Sequence, residues 1–390
     1  MSRFHSYINT AEKIINEYKG EQPFSVFIKI FFSKDKRYGA NDRKQISTIC
    51  YHYFRVGNAL TKYHTQDKMI AAAFLCNNTS TELLEKIKPA WNEIVNLSVT
   101  KKMQLINNHF TLTDLFSFTN ELSAEIEVEK FCTSFLIQPQ LFVRIRKLGN
   151  VELILQKLTN AAIDYKLLNQ NCLQLATGSN IETILAIDKD VVVQDYSSQQ
   201  VLNFFIENSS LFPSKPSIWD CCAASGGKSI LLYDILQGKC NITVSDVRPA
   251  ILSNLHQRFK KASINYYKYF IADIANPAEP IPATIYDVIV CDAPCTGSGT
   301  WSRTPEQLYY FNADAVTIYT KLQKKIIENA IPHLAKGGIF VYITCSVFAK
   351  ENETIASFIQ EKFNLQLLQQ NNLAGYYYKA DSMFVAIFKN

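Results

Sequence analysis

Residues 218–236 have the sequence Ile-Trp-Asp-Cys-Cys-Ala-Ala-Ser-Gly-Gly-Lys-Ser-Ile-Leu-Leu-Tyr-Asp-Ile-Leu, and this stretch decides the fold. The apolar run 218–222 is typical of a short buried strand, and the run 230–236 is typical of a helix. A glycine turn between a first strand and its helix lets the backbone approach a ligand closely, with helix amides facing an anionic group. The stretch therefore predicts a ligand-binding turn at one end of a parallel sheet.

From Ser217 onward, apolar strands alternate with helical patterns, as in a doubly wound sheet. Asp246 ends the next extended run, and Asp273 follows the one after it. An acid about 20 residues after a glycine turn is where a carboxylate usually holds the hydroxyls of a ribose. The three features together predict a cofactor that carries a nucleoside.

A phosphate-binding P-loop is the main alternative for the Gly-Gly-Lys-Ser part of the turn. That pattern requires a glycine at position 222, and this chain has Cys222 there. We therefore expect no nucleoside triphosphate site.

Two cysteines each follow an apolar run in the second half of the chain. Cys295 lies in Asp292-Ala293-Pro294-Cys295 after the run 286–291, and Cys345 follows the run 339–343 in Thr344-Cys345-Ser346. Strand ends deliver side chains to the ligand crevice of an open α/β sheet, so we expect both thiols in one crevice. Two thiols there suit a covalent reaction with an addition step and a release step.

Methylation of carbon 5 of a pyrimidine is a reaction that uses such a pair. A thiolate that adds to carbon 6 makes carbon 5 nucleophilic, and loss of the carbon 5 proton with elimination of the thiol completes the cycle. An acid must also hydrogen-bond the N3 edge of the base, and Asp292 is placed for that role three residues before Cys295. The residues alone leave open which cysteine attacks.

Several segments resemble the RsmB/Nop/Sun family of S-adenosylmethionine-dependent RNA 5-methylcytosine methyltransferases. Gln194–Gln199 is similar to the segment that the family carries before its catalytic domain, and the helix through Arg55 is similar to part of its N-terminal helical domain. The three motifs that carry the resemblance are residues 220–229, 292–299 and 344–346.

The resemblance implies that Cys345 is the nucleophile and that Cys295 assists release of the product. It implies that Asp292 and Lys228 also act in catalysis, near the target base. Ser225 stands where the family usually has proline, so we expect a looser turn there. The implied contacts of S-adenosyl-L-methionine are Cys222, Ala223, Ala224, Ser225, Gly226, Gly227, Lys228, Asp246, Asp273 and Asp292.

No metal site is expected. Cys291 and Cys295 have no partner pair or histidine at zinc-finger spacing, and Cys221 and Cys222 are expected on opposite faces of one strand. The remaining cysteines are expected to be small buried hydrophobes: Cys50, Cys76, Cys132, Cys172 and Cys240.

The chain is predicted to form an α/β Rossmann-like methyltransferase domain, preceded by an all-α N-terminal domain and a small α+β module. Residues 1–127 are expected to be the helical, RNA-binding domain, with a basic loop at 34–42. Residues 128–200 are expected to be the small RRM-like module, and residues 201–390 the methyltransferase domain.

RNA is the expected partner. The net charge is +5, and residues 1–60 hold ten Lys/Arg against five Asp/Glu. Basic stretches attract phosphate backbones, although many are only solvated faces. The resemblance favours ribosomal RNA or a ribosomal subunit, with transfer RNA as the alternative. The residues after the second motif either line the route of the RNA or pack internally: Trp301, Arg303, Tyr309 and Tyr310.

Two other classes of function compete with this one. A ribosome-assembly factor on the same scaffold would be free to lose Cys345, Cys295 or Asp292, and all three are present. A methyltransferase acting on an exocyclic amine or on protein would need no thiol. No apolar run reaches the roughly 18 residues of a membrane span, and no signal peptide is seen, so we expect a reduced, cytoplasmic monomer without membrane contact.

Overall fold

The computed structural model describes residues 3–146 and 150–390. The chain forms two compact units. The first comprises Met1–Asn120, Glu127–Gln138 and Thr300–Asn312, and the second comprises Glu121–Ile126, Pro139–Gly299 and Ala313–Asn390. These units do not follow the three sequence segments predicted above, whose boundaries stay a prediction.

The helices and strands of the described residues are numbered in chain order. The helices are α1 (Arg3–Glu17), α2 (Phe24–Ser33), α3 (Ala40–Arg55), α4 (Thr65–Cys76), α5 (Glu82–Ile87), α6 (Pro89–Glu93), α7 (Val99–Ile106), α8 (Val128–Ser134), α9 (Val151–Asn160), α10 (Tyr196–Gln200), α11 (Phe204–Glu207), α12 (Gly227–Ile235), α13 (Pro249–Lys261), α14 (Pro305–Tyr309), α15 (Asp314–Ala330) and α16 (Glu353–Phe363). The strands are β1 (Leu141–Ile145), β2 (Tyr165–Leu167), β3 (Cys172–Leu175), β4 (Val191–Val193), β5 (Ser217–Asp220), β6 (Asn241–Asp246), β7 (Tyr267–Ile271), β8 (Tyr286–Asp292), β9 (Leu334–Thr344), β10 (Gln366–Leu373) and β11 (Met383–Lys389).

The first unit contains α1–α8 and α14, and its regular structure in the described residues is helical. The predicted basic loop is shorter than expected, because α3 already begins at Ala40. Asp42 causes this early start: its carboxylate accepts a hydrogen bond from the Gly39 N–H at 2.9 Å and so caps the helix.

Two residues with a predicted RNA contact or a positive charge, Trp301 and Arg55, are instead buried inside this unit. Trp301 is buried, and the Tyr310 hydroxyl donates to the Tyr18 carbonyl oxygen at 2.7 Å. Arg55 is buried as well and donates to the backbone carbonyls of Phe135 and Ser302, each at 2.9 Å. Packing, the second of the two alternatives, therefore applies to Trp301, whereas Tyr310 is hydrogen-bonded through its hydroxyl and 38% exposed.

A small antiparallel sheet in the second unit has the strand order β2-β3-β1-β4. Strands β1 and β2 run parallel with β3 between them, and α9 connects them, which makes a split βαβ unit within the predicted α+β module. Arg144 and Arg146 of this segment reach α12 and pair with Asp234 at 2.8 and 2.7 Å.

The main sheet of the second unit has seven strands in the order β10-β11-β9-β8-β5-β6-β7. Strands β5 to β9 are parallel, whereas β11 pairs antiparallel with β9 and β10 pairs antiparallel with β11. Successive residues of β8 enter different cores, with Val288 and Val290 on one face and Ile289 and Cys291 on the other. Apolar cover on both faces is what a parallel sheet requires, and the predicted Rossmann-like fold is confirmed.

The direction of winding reverses at β5, which has β6 on one side and β8 on the other. In such sheets ligands bind beyond the carboxyl ends of the strands at this switch point. None of the helices in the described ranges is both long enough and apolar enough to cross a bilayer.

Candidate active site

A cavity of about 470 Å³ lies beyond the carboxyl ends of β5, β6, β7, β8 and β9. Its position is the switch point that the sheet topology predicts. The residues that line it are Cys221, Cys222, Ala224, Asp246, Val247, Arg248, Ala272, Asp273, Ile274, Asp292, Ala293, Pro294, Cys295, Leu322, Ile326 and Cys345.

A larger cavity of about 550 Å³ lies in the helical unit, between residues 58–63 and 107–119. Amide, hydroxyl and aromatic side chains dominate its described lining, which contains no cysteine. The covalent chemistry expected from the sequence is therefore available in the smaller cavity and not in this one.

Cys295 and Cys345 meet at the wall of the smaller cavity. Their sulfur atoms are 3.4 Å apart, although 50 residues separate them in the chain. The hydrogen bond between the two thiols and then burial raise the pKa of Cys295 well above its ordinary value. Cys295 therefore keeps its proton at neutral pH.

The loops that carry these two cysteines are tied to each other through Glu351, which is buried. Its Oε1 accepts from the Thr296 N–H at 2.9 Å and from Gln323 Nε2 at 3.1 Å. Its Oε2 accepts from the Thr296 hydroxyl at 2.6 Å and from the Ser346 hydroxyl at 2.5 Å. Thr296 follows Cys295 and Ser346 follows Cys345, so one carboxyl group holds the residue beside each thiol.

Lys228 and Asp292 form an ion pair at the edge of the site, with Nζ 2.6 Å from Oδ2. Burial lowers the pKa of Lys228, but the charge and hydrogen bond of Asp292 outweigh that effect, and the net pKa is raised. Lys228 is therefore an ammonium ion that neutralises Asp292.

The glycine turn after β5 contains two residues whose backbone lies in the left-handed region. Ala224 and Gly226 both have a positive φ, of 46° and 81°. A Cβ atom on Gly226 would lie 2.8 Å from Phe259 Cε1, whereas a Cβ on Gly227 would have only Arg258 Nη1 near it, at 4.0 Å. Only the first of the two glycines is required by the packing of the turn.

We expect Gly226→Ala to lower the free energy of unfolding by roughly 2 kcal/mol, because it adds backbone strain and a close contact. Gly227→Ala is the matched control and should change it by less than about 1 kcal/mol, since that position is open and begins α12. Urea denaturation of both variants measures the difference. Equal losses in the two variants would contradict this account of the turn.

Ser225 is fixed, in contrast to the looser turn expected from its replacement of proline. Its hydroxyl and its carbonyl oxygen both accept from Arg258 Nη1 at 3.0 Å. The other guanidinium nitrogens donate to Asp188 Oδ1 at 2.9 and 2.8 Å. An arginine of α13 thus holds the turn.

Two acids lie where the sequence predicts contacts with the cofactor, and Asp246 is the one predicted to hold a ribose. Burial raises the pKa of Asp246, but hydrogen bonds from Arg248 and from the Ala224 N–H outweigh it, and the net pKa is lowered. Asp246 is thus ionised and accepts hydrogen bonds, as the hydroxyls of a ribose require. Asp273 lines the same cavity. The volume, the turn and these acids fit an adenosyl cofactor.

Asp220, which ends β5, is a buried acid behind the turn that sequence reasoning did not select. Its Oδ2 accepts from the Ser229 hydroxyl at 2.6 Å, and its Oδ1 has no hydrogen-bond partner in the described residues. Burial raises the pKa of Asp220 to about 7.

The raised pKa of Asp220 predicts a pH-dependent stability. Between its ordinary pKa of 3.8 and about 7 the folded chain holds a proton that the unfolded chain has lost, so the free energy of unfolding falls as pH rises through this window. The fall is at most about 4 kcal/mol. Asp220→Asn should remove it, which urea denaturation at pH 5 and pH 8 measures. The same pH dependence in both proteins would exclude Asp220 as its source.

The cysteines at the end of β5 differ from the prediction. The strand ends at Asp220, so Cys221 and Cys222 lie in the turn and not on opposite faces of a strand. Their sulfur atoms lie within 4.8 Å of each other and of the sulfur of Cys291. The predicted positions of these two side chains were wrong because the strand is shorter than the apolar run.

The predicted site residues are divided between the cavity wall and the turn behind it. Those that line the cavity are Cys222, Ala224, Asp246, Asp273, Asp292, Cys295 and Cys345. Ala223, Ser225, Gly226, Gly227 and Lys228 belong to the turn and the start of α12. Their roles in binding and catalysis stay predictions.

Comparison with known proteins finds a family match in the second half of the chain. The family described as 16S rRNA methyltransferase RsmB/F matches residues 211–386. The chain is 28% identical over 238 residues to the probable ribosomal RNA small subunit methyltransferase B of Bacillus subtilis (strain 168), covering 60% of this chain and 52% of that protein. It is 32% identical over 179 residues to the ribosomal RNA small subunit methyltransferase B of Xanthomonas campestris pv. campestris, covering 45% of this chain and 40% of that protein. The chain therefore spans about half the length of the curated relatives it matches.

Solved structures share the fold. The crystal structure of PH0851 aligns with a TM-score of 0.69 and 18% identity, covering 99% of this chain and 98% of that chain. The crystal structure of NSun6 from Pyrococcus horikoshii with SFG aligns with a TM-score of 0.58 and 16% identity, covering 70% of this chain and 96% of that chain.

The sheet order, the cavity at its switch point and the acids at the ends of β6 and β7 define an S-adenosylmethionine-dependent methyltransferase fold. The family match makes the identification more specific. Residues 211–386 match the model of the family described as 16S rRNA methyltransferase RsmB/F, and S-adenosyl-L-methionine is the cofactor of this fold.

Proposed function

We propose that this protein methylates carbon 5 of a cytosine in RNA, with ribosomal RNA as the substrate. The observation that carries the proposal is the 3.4 Å separation of the Cys295 and Cys345 sulfurs at the wall of one cavity. Methylation of an exocyclic amine or of a protein would leave this pair without a role. The names of the curated relatives, which are ribosomal RNA methyltransferases, support the choice of RNA.

In the proposed reaction Cys345 adds to carbon 6 of the base. Because the raised pKa of Cys295 keeps a proton on that sulfur, we assign Cys295 as the donor in its hydrogen bond with the Cys345 sulfur. A hydrogen bond to a thiolate stabilises it and orients it for attack. Asp292 hydrogen-bonds the N3 edge of the ring, and Lys228 holds Asp292 in place.

S-adenosyl-L-methionine supplies the electrophilic methyl group when bound. The proposed contacts are the turn from Cys222 to Lys228 and the carboxylates of Asp246, Asp273 and Asp292. After transfer, carbon 5 gives its proton to a solvent water molecule, the electrons of that C–H bond form the double bond between carbons 5 and 6, and the Cys345 sulfur leaves as a thiolate. We assign Cys295 to this release step because its sulfur lies beside the bond that breaks.

The target cytosine must be unstacked, since a thiol attacks from above the plane of the ring. We propose that the helical residues 1–127 and the small module 128–200 bind the surrounding RNA, and that the protein acts as a monomer. Exposed lysine and arginine side chains between α2 and the first turn of α3 support RNA binding by the helical part: Lys34, Lys36, Arg37, Arg43 and Lys44.

Bisulfite sequencing of total RNA from cells with and without this gene tests the proposal. We expect one cytosine of ribosomal RNA to resist conversion only in cells that have the gene, and the wild-type protein, but not Cys345→Ala, to restore that resistance. A change confined to transfer RNA would replace ribosomal RNA by transfer RNA as the substrate. Identical RNA in the two cells would contradict the proposed methylation.

A further inference from the structure

Three thiols meet beside the cavity, and the proposed methylation uses none of them as a reactant. The sulfur atoms of Cys221, Cys222 and Cys291 all lie within 4.8 Å of one another. The neighbouring strands β5 and β8 bring them together: Cys291 belongs to β8, and the Cys221 N–H donates to the carbonyl oxygen of Val290 at 2.9 Å. The arrangement is therefore held by the sheet itself.

The separation of the sulfurs suits a single shared ion. A bond from an ion to a thiolate is about 2.3 Å long, which places two sulfurs around one ion about 3.8 Å apart. The observed limit of 4.8 Å therefore requires a closure of about 1 Å at most, which side-chain rotation supplies. Cys221 and Cys222 also line the cavity, so a small solute can reach them.

Charge decides which ion fits. Thiolates select soft ions, but Cys221 and Cys291 are buried, and a buried complex with a net charge is costly. Three thiolates around a monovalent or divalent ion keep a negative charge. A trivalent ion gives a neutral complex.

We propose that Cys221, Cys222 and Cys291 form a binding site for trivalent arsenic, supplied as arsenite, and that its occupation weakens cofactor binding. Arsenite arrives as neutral As(OH)3. Three As–S bonds form and three As–O bonds break, and each hydroxide leaves as water with the proton of one thiol. Arsenic stays trivalent, so the step needs no oxidant or reductant.

The test uses the full chain with Cys295→Ser and Cys345→Ser, because that pair would otherwise bind arsenite too. After equilibration with arsenite and dialysis, mass spectrometry should find one arsenic per chain, with three fewer titratable thiols. Adding Cys291→Ala should lower bound arsenic about tenfold or more, because two thiols hold the ion far less tightly than three. Cys240→Ala removes a buried cysteine elsewhere in the same unit and should change nothing.

Cofactor competition is the second measurement. Calorimetry should show that arsenite lowers the affinity for S-adenosylhomocysteine about tenfold. In the Cys291→Ala protein, arsenite should leave this affinity unchanged. Should Cys291→Ala not fold, as judged by thermal unfolding, Cys221→Ser takes its place.

Absence of bound arsenic, or arsenic that persists without the third thiol, overturns the site. Zinc binding in its place overturns the charge argument, and unchanged cofactor affinity overturns the competition. None of these results bears on the methylation proposal, since the tested protein already lacks both cysteines of the proposed reaction.

Discussion

Cys345→Ala should abolish methyl transfer, whereas Cys295→Ala should stop the reaction after the first bond has formed. Without the Cys345 sulfur no bond to carbon 6 can form, and the loss of a nucleophile typically costs a factor of about 10⁴ or more in rate. Without the Cys295 sulfur, 3.4 Å away, addition and transfer proceed but release is slow. The Cys295→Ala protein should therefore accumulate as a covalent RNA adduct.

A denaturing gel with radiolabelled RNA and cofactor measures both outcomes. The adduct is a slowly migrating band that disappears on ribonuclease treatment, and it should be absent from Cys345→Ala and from the double variant. Cys240→Ala, which removes a buried thiol remote from the cavity, is the matched control and should behave as the wild type. A Cys345→Ala protein that still methylates RNA would refute the assignment of the nucleophile, and an active Cys295→Ala protein without the band would refute the release role.

Local sequence pattern predicted much of the parallel sheet because its strands are buried on both faces and so appear as continuous apolar runs. The run 339–343 lies within β9 and the run 286–291 within β8. The carboxyl ends of parallel strands share one edge, so the convergence of Cys295 and Cys345 follows from those two runs. Strands without a continuous apolar run were missed: β2, with three residues, and β10, whose sequence is largely polar.

Long-range contacts set the limit of sequence reasoning. Glu351 lies 55 residues from Thr296, and Arg258 lies 33 residues from Ser225, and nothing local marks either pair as partners. Arg55 shows the same limit for charge: it adds to a basic stretch of the sequence, yet backbone carbonyls surround its guanidinium. A count of positive residues does not distinguish such a buried arginine from a phosphate contact.

Glu351→Ala should reduce the rate of methyl transfer about 100-fold, because a shift of about 1 Å in a reacting group costs about that much. The substitution leaves the Thr296 N–H and the Ser346 hydroxyl without their shared acceptor, and these residues flank Cys295 and Cys345. Glu351→Gln should reduce the rate less, since glutamine keeps one acceptor oxygen. Its amide NH2 group, however, faces hydrogen-bond donors on the other side. The loss should appear in kcat and in the amount of covalent adduct, with little change in cofactor affinity.

Glu353→Ala is the matched control for Glu351→Ala. Glu353 lies two residues further along and accepts hydrogen bonds from Ser123 at 2.9 Å and Asn372 at 3.0 Å, outside the cavity lining. The Glu353→Ala substitution should therefore lower the free energy of unfolding without a selective loss of kcat. A Glu351→Ala protein with unchanged kcat, or equal losses of kcat in the two variants, would show that the carboxyl group of Glu351 does not position the thiols. If Glu351 controls the geometry of the two sulfurs, adduct formation must decrease from the wild type through Glu351→Gln to Glu351→Ala. Cofactor affinity must stay constant across the same three proteins.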